Sequence, residues 1–263
     1  MRFVYESIYD YFCLGKKFLV YNMVSRNIKS KYDRSFIGLG WTLLSPLMLA
    51  LIYYIVFKQI LLVKMQNYLS FILSGVLPWA FFSQCVFEGM ESIVGNEGIV
   101  TKIKMPLQVF PFVNVITNLI TLSASIPILV AISFFQGIAL GWHTLMVFYF
   151  YFILSLVAYA LAIVLSLGLV LFRDLRHVMA LMLQIWFFAT PVIYSLEMFP
   201  EKYRIFTHLN PVTDAISGIH SIFTDGRMPE MSSVLISTAW AIILTMVGIV
   251  FMRKRFLGIL EKL

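Results

Sequence analysis

Charge is what this sequence has least of. Asp, Glu, Lys and Arg make up 13% of its 263 residues, against about 25% in a soluble domain. Residues 105–172 contain none of the four. With 60% hydrophobic and 16% aromatic residues, the composition excludes a soluble globular domain and implies a protein solvated by lipid. Catalytic signatures are missing as well. The four histidines, His143, His177, His208 and His220, lack metal-ligand spacing, and no G-x-x-x-x-G-K-[ST], G-x-S-x-G or H-E-x-x-H pattern occurs. No catalytic, cofactor-binding or metal site is therefore expected in this chain. Cysteine is nearly absent, and with Cys13 and Cys85 both on the cytoplasmic side in the topology derived below, no disulfide is expected.

Charge-free runs locate the membrane crossings, because a helix needs about 20 apolar residues to cross a hydrocarbon core of roughly 30 Å. The runs 35–57, 65–87, 178–196 and 231–252 each fit one helix. The run 105–172 is too long for one and must fold back at "FFQGIALGWH", where Gln136, Gly137, Gly141 and His143 interrupt the apolar pattern. The expectation is an all-α polytopic membrane protein with six transmembrane helices, at about 36–57, 67–87, 107–135, 144–172, 178–196 and 232–252. Arg2, Glu6, Asp10, Lys16, Lys17, Arg26 and Lys29 break up the apolar residues at the start of the chain, so no cleaved signal peptide is expected there.

Six crossings put both termini on one side together with residues 88–106 and 173–177. That side holds 15 of the 20 Lys and Arg residues, and only Lys58, Lys64, Lys202, Arg204 and Arg227 fall on the other. Basic loops stay cytoplasmic, so both termini are expected in the cytoplasm. The net charge of +7 reflects this bias and attraction to anionic lipid headgroups, and implies no nucleic-acid partner.

Three pieces do not span. In the N-terminal segment, 1–34, Val20, Tyr21, Met23, Val24, Ile28 and Tyr32 recur at helical spacing opposite Asn22, Arg26, Lys29 and Asp33. That is the pattern of an amphipathic helix lying in the membrane interface; a basic anchor that only sets topology is the alternative. The cytoplasmic connection 88–106, "EGMESIVGNEGIVTKIKMP", reads as a solvated linker or as a short docked helix. In the second case Glu97, Lys102 and Lys104 offer polar contacts, while Ile99 and Ile103, four residues apart, share one face. In the outer segment, 197–230, Asn210 can cap a helix, Pro211 suits its first position and Gly226 can end it. Val212, Ile216, Ile219 and Phe223 form its apolar stripe. The helix is too short to span and reads as re-entrant or interfacial, with an exposed loop resting on lipid as the alternative.

The interiors of all six expected spans lack ionisable Asp, Glu, Lys and Arg, the groups on which proton- or voltage-driven devices depend. A proton-coupled carrier is disfavoured, and a sodium-coupled one could rely only on backbone oxygens. Aromatics are abundant instead. Trp41, Tyr54, Trp79, Trp186 and Tyr194, in spans one, two and five, are candidates to line a path, since aromatic faces can meet the C–H faces of sugars while polar tips hydrogen-bond. Interfacial belts and packing are the competing roles.

Three blocks carry a family resemblance: "RNIKSKYDRSFIGLGWTLLSPLMLALIYYIVF", "GVLPWAFFSQCVFEGMESIVGNEGIVTKIKMPLQVFPF" and "FRDLRHVMALMLQIWFFATPVIYSLEMFPEKYRIFTHLNPV". In order and spacing they resemble the membrane subunits of ABC-2 type polysaccharide exporters. The similarity is greatest to O-antigen permeases, relatives of the teichoic-acid and group 2 capsule permeases. The resemblance implies a transmembrane domain over 35–256, a homodimer, and two separate ABC ATPase subunits that bind ATP and Mg, with no cofactor in this chain. It implies export of an undecaprenyl-linked polysaccharide across the bacterial inner membrane. It also implies that the loop from Asn96 to Lys104, with Glu97, Ile99, Lys102 and Ile103, is the coupling element seated on the ATPase. Two short helices within 197–230 would form the outer gate. Capsule or teichoic-acid export is the near alternative. The more distant ones are an ion-coupled carrier and a polytopic glycosyltransferase or acyltransferase, for which Glu88, Glu91, Glu97 and Asp174 are the only acidic candidates and no motif joins them.

Overall fold

A backbone in lipid must satisfy its own N–H and C=O groups, so long apolar runs fold as helices. The computed structural model describes residues 17–32, 38, 40–100, 106–198, 200, 202 and 206–260. Among these residues there is no strand, and five helices are long and apolar enough to cross a membrane: Gly40–Ile60, Tyr68–Glu91, Val109–Phe135, Trp142–Leu171 and Met231–Met252. In chain order the helices are α1 (Lys17–Tyr32), α2 (Gly40–Tyr54), α3 (Tyr68–Glu91), α4 (Glu97–Val100), α5 (Val109–Ser123), α6 (Ser125–Phe135), α7 (Met146–Leu171), α8 (Leu175–Ala189), α9 (Thr213–Thr224) and α10 (Met231–Leu260).

Helix α3 is the axis of the bundle. It packs against α2, α5, α7 and α9 and buries Phe71, Ile72, Leu77, Phe82, Cys85 and Met90. Two close approaches depend on glycine. A Cβ at Gly89 would lie 2.5 Å from Cβ of Ala162 on α7, and one at Gly75 would lie 2.2 Å from the Val192 carbonyl oxygen. Helix α2 runs on through a π-helical turn, Ile55–Ile60. Lys58 then folds back to donate to the carbonyls of Val63 (3.3 Å) and Met65 (2.9 Å), closing the connection to α3.

Burial divides into two apolar cores. The larger joins α3, α7, α9 and the turn after α8. The smaller collects Met23 and Val24 of α1, Ile93, Leu107, Phe110, Val113, Ile163 and Leu167 of α7, and Met252 of α10. The apolar stripe of α1 is therefore split. Met23 and Val24 face protein, whereas Phe18 and Tyr21 stand exposed.

The fifth expected span needs correction. Residues 178–196 are free of charge, but α8 has 15 residues, about 22 Å of rise, and stops at Ala189. Thr190 is extended, at φ −111° and ψ 138°, because the proline at 191 disfavours helical geometry in the residue before it. Counting charge-free length overlooks that stop. In the outer segment, helix α9 is enclosed by α3, α6, α7 and α10, with only Ser217 and Ser221 half-buried while its other residues are buried.

Candidate functional site

Three helix faces meet around an open groove of about 760 Å³. Helix α2 contributes Trp41, Thr42, Ser45, Pro46, Leu49 and Tyr53; α3 contributes Val76, Trp79, Ala80, Ser83, Gln84 and Phe87; α8 contributes Ala180, Leu183, Gln184, Phe187 and Phe188. Steps of three and four dominate each set, so each helix presents one stripe. From Val76 to Phe87 the α3 stripe climbs about 16 Å. Tyr53 stacks on Phe187 with ring centroids 5.7 Å apart, Trp79 meets Phe187 edge-on at 5.8 Å, and Phe187 meets Phe188 edge-on at 5.1 Å. None of the described residues lining the groove is charged. Its hydroxyls and carboxamides can exchange hydrogen bonds with a polar ligand, and its rings can stack on apolar faces. No ion pair would trap one unit of a moving chain.

Among the candidates for a path, Trp41 and Trp79 line this groove. Trp186 lies behind it, edge-on to Trp79 at 6.2 Å and to Phe82 at 5.4 Å, and donates through Nε1 to Asn210 Oδ1 at 3.0 Å. Tyr54 is half-buried and packs on the larger core. Tyr194 follows α8 and donates from its hydroxyl to the Phe188 carbonyl at 2.7 Å. Tyr53, Phe187, Phe188, Gln84 and Gln184 are lining residues that sequence reasoning did not select. The helical stripes they complete were the available signal.

In the 88–106 connection, Lys102, Ile103 and Lys104 lie outside the described residues. Asn96 Oδ1 accepts from Arg26 Nη2 of α1 at 2.7 Å, and Asn96 Nδ2 donates to the Ser92 carbonyl at 2.8 Å. Glu97 is exposed, and Ile99 is half-buried against the smaller core. Among the described residues of this connection, Glu97–Val100 form the single helical turn α4.

Val212, Ile216, Ile219 and Phe223 are all fully buried in the larger core. Polar contacts fix the same helix. His220 Nε2 donates to the Pro191 carbonyl at 3.0 Å, which leaves Nδ1 to accept from Ser74 Oγ at 2.8 Å. Its ring stacks on Phe71 at 4.0 Å. Burial lowers its pKa from 6.5 to about 4, with the bond to Pro191 pulling the other way. Asp214, 2% exposed, faces Nδ1 of His208 at 2.9 Å. Burial raises the Asp214 pKa, and the hydrogen bond and charge of His208 oppose it.

A helical membrane bundle with a groove free of charge among its described residues, and with the turn at Asn96 tied to α1 through Arg26, defines the class of protein. The chain belongs to the ABC-2 type transporter family, whose model matches residues 19–224. It is similar to the O-antigen export system permease protein RfbA of Myxococcus xanthus, 31% identical over 228 residues, which are 86% of this chain and 88% of the relative. It is also similar to RfbA proteins of Klebsiella pneumoniae, 30% and 29% identical over 242 residues, covering 88% of this chain and 90% of each relative.

Proposed function

We propose that this chain is the permease subunit of an ATP-driven exporter that moves a lipid-linked polysaccharide, O-antigen above the alternatives, from the cytoplasm across the bacterial inner membrane. The observation that carries the proposal is the groove between α2, α3 and α8, long, aromatic and without a charge among its described lining residues. Such a wall suits a sliding polymer of sugars and offers no side chain on which a coupling proton or ion could act. Free energy then enters through the cytoplasmic surface. Two copies form the permease, with α8 as the fifth of six crossings in each, and two ABC ATPase subunits below supply ATP and Mg. Asn96, Glu97, Ile99, Lys102, Ile103 and Lys104 belong to the coupling loop, residues 88–106. The outer segment 197–230 closes the path, and both termini are cytoplasmic. The polymer arrives on an undecaprenyl carrier.

The deciding experiment is co-expression with the candidate ATPase subunit, purification, reconstitution into proteoliposomes and assay of lipid-linked glycan transfer with ATP. The complex is expected to copurify and export. Trp79→Ala is expected to reduce export several-fold, on the scale of a lost aromatic contact, while assembly persists. A purified permease that binds no ATPase, or moves no glycan with one bound, overturns the reading.

A further inference from the structure

The groove has a charged neighbour for which the transport reading has no role. Near the cytoplasmic end of α3, the Glu88 carboxylate gathers donors from three helices. Lys31 Nζ of α1 lies 2.7 Å from Oε2, Asn118 Nδ2 of α5 donates to the same oxygen at 2.9 Å, and Gln84 Nε2, one turn back on α3, donates to Oε1 at 2.9 Å. Lys31 Nζ also donates to Asn118 Oδ1 at 2.8 Å. The Lys31 and Glu88 side chains are 21% and 25% exposed. Each charge is largely withdrawn from water and depends on the other for compensation.

The place of this network gives it meaning. The larger core reaches Cys85 and Val86 of α3, and the smaller one resumes at Ile93, so Glu88 stands at a polar seam between them. On the cytoplasmic side of the seam, α1 is also tied to the coupling turn through Arg26 and Asn96. On the membrane side, Gln84 lines the groove, and with Thr42, Pro46, Asn118 and Thr121 it also lines a narrow gap between α2, α3 and α5.

Building on the permease reading, we propose that Lys31, Glu88 and Asn118 form a positioning relay that sets the carboxamide of Gln84 at the cytoplasmic mouth of the groove. Lys31 and Glu88 do not line the groove themselves. They act through Gln84, the one member of the network that does. When the coupling turn and α1 shift together, the ammonium moves with α1, Glu88 re-forms its bonds, and Gln84 changes what it offers to a sugar hydroxyl. Hydrogen-bonded partners exchange in discrete steps, whereas an apolar contact at the same seam would carry no such choice.

The test uses the full complex with its ATPase subunits in proteoliposomes, with lipid-linked glycan as the probe. The readout is the ratio of glycan-stimulated to unstimulated ATP hydrolysis, with thermal stability measured alongside. Glu88→Gln is expected to lower the stimulation about tenfold, the scale of a lost charge-assisted bond, and Gln84→Met is expected to do the same with the ion pair intact. The exchange Lys31→Glu with Glu88→Lys is expected to recover at least half of the stimulation, which a loss of stability alone would not predict. A wild-type ratio in assembled Glu88→Gln overturns the relay. If that variant does not assemble, a wild-type ratio in Gln84→Met overturns it instead. A wild-type complex without glycan stimulation fails the permease reading and removes the relay with it.

Discussion

His220 is neutral for a physical reason. Enclosed between α3 and the turn after α8, with Phe71 across its face and Ser74 and Pro191 at its two nitrogens, it is buried, and burial disfavours a second proton. The unfolded chain takes up that proton near pH 6.5, and the folded one only near pH 4. Between those values the unfolded state binds more protons, so the contribution of His220 to stability is complete above pH 6.5 and is lost as pH falls toward 4. The difference corresponds to about 3 kcal/mol. Thermal unfolding of the detergent-solubilised protein is therefore expected to shift downward across this window. His220→Gln, able to keep both hydrogen bonds without titrating, is expected to be less stable at pH 7 and to lack that part of the pH dependence. Parallel profiles for the two proteins would refute the assignment.

At the scale of elements, one side chain ties the end of α8 to the start of α9. Asn210 Oδ1 accepts from Trp186 Nε1 at 3.0 Å and from the Val212 amide at 3.1 Å, while Nδ2 donates to Thr190 Oγ1 at 2.8 Å and to the Ala189 carbonyl at 3.4 Å. Removing this carboxamide strands donors and acceptors at the end of one helix and the start of the next. Asn210→Ala is expected to cost about 1–3 kcal/mol, read as a lowered unfolding temperature, and to expose residues 190–212 to limited proteolysis. Unchanged stability and unchanged cleavage would mean that apolar packing alone holds the junction. The capping role of Asn210 was legible from "NPVTD", and most long helices were legible from charge-free runs. Helix rotation was not. Sequence reasoning selected Tyr54 and Trp186, while the neighbouring Tyr53 and Phe187 line the groove. One residue turns a side chain by about 100°, and the packing that sets this angle is tertiary. The Glu88 network was hidden for a related reason, since Lys31 and Asn118 meet across 87 residues of sequence.

For the whole molecule, the open question is the number of crossings, because α8 has only 15 residues. Contacts to the two ends of α3 bear on it. Arg176, at the start of α8, pairs with Glu91 at 2.6 Å. At the other end of α3, the Thr224 carbonyl accepts from Asn67 Nδ2 at 3.2 Å, and the Phe223 carbonyl accepts from Ser133 Oγ at 3.0 Å. Between residues 176 and 224 the chain thus passes from contact with one end of α3 to contact with the other, as the proposed sixth crossing requires. An even number of crossings returns the end of α10 to the side of α1 and the 88–106 connection, the side that then holds 15 of the 20 Lys and Arg residues. Moving such a cluster outward would oppose both the retention of basic loops and a membrane potential of about 2.3 kcal/mol per charge per 100 mV. Single cysteines at positions 97 and 202, both exposed, in a chain with Cys13 and Cys85 replaced, test the parity with a membrane-impermeant maleimide. In spheroplasts, position 202 is expected to react at once and position 97 only after permeabilisation. A further cysteine at Lys262 is expected to follow position 97. If position 202 is shielded like position 97 while position 262 reacts at once, α8 does not cross, the crossings number five, and the cytoplasmic location of the C-terminus has to be abandoned.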